Sequence, residues 1–451
     1  MNATAPRLPA TFIWLITGLI ALHACMAATR VVSSLWVLRE GHDERTMGLI
    51  LSLFAVAPIV LSMWAGRLAD RHGLQRPVRL ATVMGLMGTS ASALAPSLLT
   101  VGLAALLTGG ALCVAAVAIQ REAGQLAHRG HDLKRIFSWV ALGPALSNVL
   151  APLLSGFVID HAGLRWAFVV LIALPLLSLA LLSRVGRRLS PPALPAPAAS
   201  EAGHAPVAPS AGHAQALSDL AQPKSAPQPL HAADTARNAA EPSGPSSSWA
   251  LLRSRPLRVL LLLNLSMAAA WDAHTFAVPV VGHLREMSAS EIGFIFASFA
   301  LAATAVRLII VRWSSRIQEA LMLRGAMALA AMVLVVYAWL PGLLGLMLGS
   351  AILGLALGSV QPMVLSMLHQ VTPADRQGQA LGLRMMVTNA ATVAMPMLYG
   401  VMSASLTTAA PLWLMALGLL LAQRPAMGLA ALISPPSPDA EAERPSKAPG
   451  P

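Results

Sequence analysis

Charge is scarce in this chain. Asp, Glu, Lys and Arg make up 11% of its 451 residues, against 56% hydrophobic ones. A water-soluble domain carries about 25% charged residues, so the shortage excludes a mainly solvated globular protein. Cysteine is scarcer still. Cys25 and Cys113 are the only two, and both sit inside apolar runs, which excludes a disulfide framework and gives neither thiol the surroundings of a reactive one. No Gly-x-x-x-x-Gly-Lys-Ser/Thr loop occurs, so ATP is not expected to power the protein directly. His204, His213 and His231 lack metal-ligand spacing; no metal site and no cofactor are expected.

Apolar runs take the place of what is missing. They fall near 11–38, 46–66, 78–96, 98–121, 137–159 and 165–183, then 256–282, 291–311, 324–341, 343–369, 381–404 and 408–430. Most approach the ~20 residues a helix needs to cross a bilayer, and they are continuous rather than alternating, which favours helices over a barrel. The first run is too long for the h-region of a signal peptide and reads as the first span. Residues 190–250 are rich in Ala, Pro, Ser and His, with eleven prolines after position 190; such a segment buries no core and is expected to be a disordered cytoplasmic linker. The expected organisation is a six-helix bundle over 1–189, the linker over 190–250, a second six-helix bundle over 251–430, and a disordered tail over 431–451.

Net charge is +12, from 31 Lys and Arg against 19 Asp and Glu. The basic residues alternate between loops instead of gathering on one polar domain, which argues for the positive-inside rule and against nucleic acid. With the N-terminus inside, 24 of the 31 fall in cytoplasmic segments, four in outer loops (Arg39, Arg45, Arg165, Arg285) and three within spans (Arg30, Arg307, Arg384). Both termini are therefore expected in the cytoplasm, and the Ala-, Leu- and Arg-rich composition suits a bacterial inner membrane.

Residues 66–77, Gly-Arg-Leu-Ala-Asp-Arg-His-Gly-Leu-Gln-Arg-Pro, form a charged, glycine-punctuated turn between two apolar runs. Through Gly66, Leu68, Ala69, Asp70, Arg71, Gly73 and Arg76 it resembles the signature loop between the second and third helices of major facilitator superfamily transporters. The resemblance implies an all-α membrane protein with twelve transmembrane helices in two pseudo-symmetric six-helix bundles. It also implies a secondary transporter rather than an enzyme, handling a small molecule by alternating access, as a monomer. In that family the counterpart of Asp70 touches the opposite bundle and steadies the outward-facing state. Gly66 is expected to permit close helix approach and Gly73 a left-handed turn. Ala151-Pro152-Leu153-Leu154-Ser155-Gly156 resembles the antiporter motif of drug:proton exporters, with Ala151 and Ser155 standing where that motif has glycine. Pro152 and Gly156 thus point to proton-coupled efflux, and the two departures leave import open.

The halves repeat. At an offset of 245, Met47-Gly48-Leu49-Ile50 falls on Ile292-Gly293-Phe294-Ile295, and Phe54 on Phe299; at 244, Pro152 and Gly156 fall on Pro396 and Gly400. Two related bundles around a central cavity are what such repeats imply for a transporter.

Ions within spans narrow the site. A central Arg or Asp costs ~2.5–3.5 kcal/mol on insertion scales, so each needs a partner or a wet cavity. His23, Arg30 and Ser34 form a polar stripe on the first helix; Asn264, Trp271, Asp272 and Thr275 form another on the seventh. The repeat places Asp272 about one turn from Arg30, so the two are expected to face one another. Asp272 is the only acid deep in a span and the natural proton carrier, with a static gate-closing salt bridge as the alternative. His274 and His23 are weaker candidates for the same task. Arg384, with Thr388 and Thr392, could bind an anionic group or snorkel to the inner interface. Gln361, Asn148 and Asn389 are candidate cavity ligands or interhelical bonding partners, and Trp271 a stacking surface for substrate. Rival readings are a proton symporter for a small organic anion or sugar and, remotely, a membrane-embedded transferase using the 39–46 loop.

Overall fold

The structure is a computed structural model that describes residues 10–128, 133–189, 248–313, 318–373 and 376–428. The expected linker and tail lie outside these residues, apart from Ser248–Ala250. Six helices come first: α1 (Ala10–Arg39), α2 (Glu44–His72), α3 (Gln75–Leu94), α4 (Leu98–His128), α5 (Leu133–Ala162) and α6 (Leu164–Leu189). A 3₁₀ turn at Ser248–Arg253 leads into α7 (Arg255–Leu284), α8 (Ala289–Trp313), α9 (Glu319–Val336), α10 (Gly342–Gly358), α11 (Val360–Val371), α12 (Gln377–Ser405) and α13 (Ala410–Met427). No strand occurs among the described residues.

Thirteen helices make twelve spans because α10 and α11 are two pieces of one apolar stretch, Gly342–Leu368. The break falls at Ser359. There the carbonyl of Gly358, orphaned at the helix end, accepts from Arg307 Nε at 3.2 Å. Arg307, which looks like an interface anchor from its position in the sequence, is therefore a cap within the second bundle. Ten segments are long and apolar enough to cross a membrane by length and composition. The other two helices, α3 and α13, are 20 and 18 residues long. On α3 the hydroxyls of Thr82 and Thr89 return to carbonyls one turn back, which makes its polar composition tolerable in lipid.

Local chemistry sets the turns. Asp43 caps α2, accepting the Thr46 backbone N–H at 3.0 Å and its hydroxyl at 2.7 Å. Both bonds favour the charged carboxyl and hold it below its ordinary range. Gly73 ends the same helix at φ +62°, with its N–H on the Ala69 carbonyl at 2.9 Å. Ser288 and Glu291 exchange backbone N–H bonds as a capping box that starts α8.

Helices α1–α6 pack on one another and α7–α13 do the same, giving two bundles. Across the seam α2 meets α12, α5 meets α8, and α1 meets α7, while α4, α10 and α11 find their main partners within their own bundles. The repeated positions are the crossing points. A Cβ on Gly48 would strike the Pro396 carbonyl, and one on Gly293 would lie 2.6 Å from the Pro152 carbonyl. Likewise Gly400 abuts the Glu44 carbonyl and Gly156 that of Ala289. All four contacts lie near the helix ends at residues 44, 162, 289 and 405, opposite the Gly73 turn. With no hydrophobic force between helices in lipid, close backbone approach at small residues is what joins the bundles.

Candidate transport cavity

Between the bundles lies a cavity of about 90 Å³. Helix α1 contributes Met26, Arg30 and Ser34, α5 contributes Asn148 and Pro152, α7 contributes Trp271 and Thr275, and α8 contributes Phe296 and Phe299. The walls are mainly apolar with a few polar groups, the usual character of a small-molecule site. Trp271 stands edge-on to Phe299, centroids 4.5 Å apart at 83°.

The structure brings Arg30 and Asp272 together. Arg30 Nη2 lies 3.5 Å from Asp272 Oδ1, with side chains 19% and 7% exposed. The pair joins α1 to α7 across the seam. At 3.5 Å it is an ion pair without a close hydrogen bond, and both Nε and Nη2 of Arg30 are enclosed with no hydrogen-bond partner. Thr392 on α12 spends its hydroxyl hydrogen on the Thr388 carbonyl at 3.1 Å. Ser34 turns its hydroxyl to the Arg30 carbonyl at 2.9 Å, closing its own helix instead of the ion pair.

A second polar group sits further along α7. Asn264, buried, donates to the Thr388 hydroxyl at 2.9 Å and accepts from Arg384 Nη1 at 3.4 Å. Arg384 thus folds onto α7 and does not extend toward a membrane surface. His23, on the Arg30 stripe, keeps its Nδ1 enclosed without a partner. Of the expected cavity residues, Asn264, Arg384, His23, Gln361 and Asn389 do not line this cavity. His274 is not there either. It is fully buried inside the second bundle, stacked on Phe299 at 4.4 Å and bonded through Nε2 to Ser350 at 2.9 Å. Two residues after Asp272 is about 200° round a helix, so His274 faces away from the ion pair.

The signature loop departs from its expected contacts. Asp70 accepts from Arg121 Nε at 3.0 Å, so its partner belongs to its own bundle. A Cβ on Gly66 would meet nothing within 4 Å, so no close helix approach explains that glycine here. Arg71 and Arg76 are exposed. Pro152 and Gly156, in contrast, lie at the α5–α8 crossing described above.

One residue at the seam was not anticipated from the sequence. Asp160, in the last turn of α5, accepts the N–H of Ala289 at 2.9 Å and of Ser290 at 2.7 Å. It caps a helix of the other bundle. The available signal was its place four residues after Gly156, on the same helix face. At the companion seam Arg45 Nη2 donates to Ser405 at 3.0 Å.

Two repeated six-span bundles around an interfacial cavity with a buried ion pair define a secondary-transporter fold. The sequence pattern of the Major Facilitator Superfamily matches residues 15–343 and 260–450, and the chain belongs to that superfamily. Among solved structures it is similar to the peptide transporter POT in complex with sulfate, at 16% identity and TM-score 0.69, over 96% of this chain and 97% of that one. It is also similar to the nucleoside transporter NupG, at 14% identity and TM-score 0.62, over 95% of this chain and 100% of that one. No curated protein matches it by sequence.

Proposed function

We propose that this protein is a proton-coupled secondary transporter that moves a small organic molecule out of the cell by alternating access. In this reading it works as a monomer in a bacterial inner membrane, with both termini and the Gly73 turn in the cytoplasm. The conformation is then closed toward the periplasm, where the four glycine crossings gather, and the cavity is served from the cytoplasmic side.

The Arg30–Asp272 pair carries the reading. It is an acid and a base on opposite bundles, 3.5 Å apart, so any rocking of one bundle against the other changes their separation. Burial favours a carboxyl's neutral form and a nearby Arg its charged form. Bundle motion therefore shifts the balance between them, loading a proton on one side and releasing it on the other. One charge crossing 100 mV is worth about 2.3 kcal/mol, a useful driving force. The helix-five motif at Pro152 and Gly156 supports efflux. The second reading is proton symport of a small organic anion, favoured by a second intramembrane cation, Arg384, which has no carboxylate partner among the described residues.

The test is proton flux into proteoliposomes that enclose a pH-sensitive dye. Addition of substrate to the cytoplasmic face of acid-loaded vesicles should alkalinise the lumen if the two move in opposite senses; acidification assigns symport instead. Asp272→Asn should abolish the proton signal while leaving substrate counterflow. Coupling that survives the substitution rules out the proton role.

A further inference from the structure

Among the described residues the Arg384 side chain makes one hydrogen bond and meets no acid. Its Nη1 donates to Asn264 Oδ1 at a long 3.4 Å, its Nε is enclosed without a partner, and it forms no ion pair among the described residues. A guanidinium carries five N–H donors, and leaving them unpaired inside a membrane protein is costly. The nearest intramembrane acid on the facing helix, Asp272, is eight residues beyond Asn264. That is about 12 Å along α7, and it already serves Arg30. Asp272 thus pairs with Arg30 and not with Arg384, whose Nε stays enclosed and donates to nothing among the described residues.

The surrounding groups are arranged for an incoming acceptor. Thr388 spends its hydroxyl hydrogen on the Arg384 carbonyl at 2.9 Å and accepts from the Asn264 amide at 2.9 Å. That fixes the amide so that its oxygen steadies the guanidinium and leaves the other donors of the fork uncommitted. On α7, Asn264, Trp271 and Thr275 follow at i, i+7 and i+11. At about 100° per residue these lie within about 40° of one another. Trp271 and Thr275 line the cavity, so the same face of α7 runs from the apolar chamber down to Arg384. The distance from Asn264 to Trp271 is about 10 Å of helix rise.

We propose that Arg384, held by Asn264 and Thr388, is the anion subsite of the transport cavity, and that the cargo is an amphipathic organic carboxylate. Its carboxylate takes the guanidinium fork, whose planar geometry matches two carboxylate oxygens. Its aromatic or aliphatic body, about 10 Å long, lies against Trp271, Phe296 and Phe299. This inference rests on the transport reading for its biological meaning, but the binding it specifies is independent of proton coupling and of direction.

The test uses the purified full-length chain in nanodiscs and a matched pair of probes, 4-phenylbutanoate and its uncharged amide, with binding read from thermal stabilisation and titration calorimetry. The wild type should bind the carboxylate at least about tenfold more tightly than the amide, the equivalent of one good charge-assisted contact. Arg384→Gln should erase that preference, and Arg384→Lys should keep part of it. The melting temperature of each variant without probe shows that it is folded. Equal binding of acid and amide, a preference that survives in Arg384→Gln, or no binding of the acid overturns the proposal. If the preference is found but no proton flux accompanies transport, the coupling reading fails and the subsite stands. Flux without the preference keeps the coupling and removes the subsite.

Discussion

Asp160 and Ser290 join the two bundles. The carboxylate of the first accepts the backbone N–H of the second at 2.7 Å, and that of neighbouring Ala289 at 2.9 Å, so one half of the protein supplies the N-terminal cap for a helix in the other. Asp160→Ala should cost about 1 kcal/mol, the usual loss for an N-cap, and Asp160→Asn less. The specific readout is hydrogen exchange: the amides of 289 and 290 should exchange faster in the alanine variant, while those in the middle of α8 should not.

Gly48 and Gly293 occupy equivalent places in the repeat, each against a proline-borne carbonyl of the opposite bundle. Alanine at either position forces those backbones apart, so transport should fall while each bundle stays helical. Gly325 and Gly418 are the controls. A Cβ there meets nothing within 4 Å, and alanine should stabilise by about 0.5–1 kcal/mol through helix propensity. Melting temperatures and uptake rates for the four variants separate contact from propensity. Equal behaviour of all four contradicts the crossing-point account.

Removing Arg30 alone leaves Asp272 buried without its counter-ion. Arg30→Ala should therefore destabilise by about 3–5 kcal/mol, whereas replacing both partners with apolar residues, Arg30→Met with Asp272→Leu, should be near neutral in stability. Both proteins should lose proton coupling. Thermal unfolding of Arg30→Met, of Asp272→Leu and of the double variant measures the interaction directly.

Asp43 gives a pH dependence with a definite sign. Its folded carboxyl lies below the ordinary value because the Thr46 hydroxyl and N–H bond the charged form. The cap therefore contributes fully above the unfolded value, near 4, and is lost as pH falls through the depressed folded value. Wild type should melt above Asp43→Ala at pH 7, and the gap should close in acid. A gap that widens in acid contradicts the assignment.

Helix number, the two-bundle arrangement and the Arg30–Asp272 contact were legible because each follows from position along an axis. Length fixes spans, and a 245-residue repeat fixes which residues share a depth. Direction around the axis was harder. His274 shares its depth with Asp272 to within about 3 Å of rise, yet its side chain points into the second bundle at Ser350; the angle of about 200° between the two positions accounts for the difference. The Asp160 cap was hidden for another reason: its partners are backbone groups, which carry no side-chain signature in any sequence. Arg384 stays open between anion binding and snorkelling in the sequence because its position near a helix end is visible and its bond to Asn264 is not. The Asp70 loop matched its family pattern, but the pattern does not specify which conformation a given structure adopts, and here the carboxylate meets Arg121 of its own half.

The glycine crossings lie at one extremity of long rigid helices, and this placement acts as leverage. From Gly48 to Gly73 helix α2 extends about 38 Å, so a pivot of about 10° at the crossing swings the far tip through about 7 Å. In the proposed alternating-access cycle, a small rotation at one pole thus becomes a displacement of several ångströms at the other, with little deformation of the rods between.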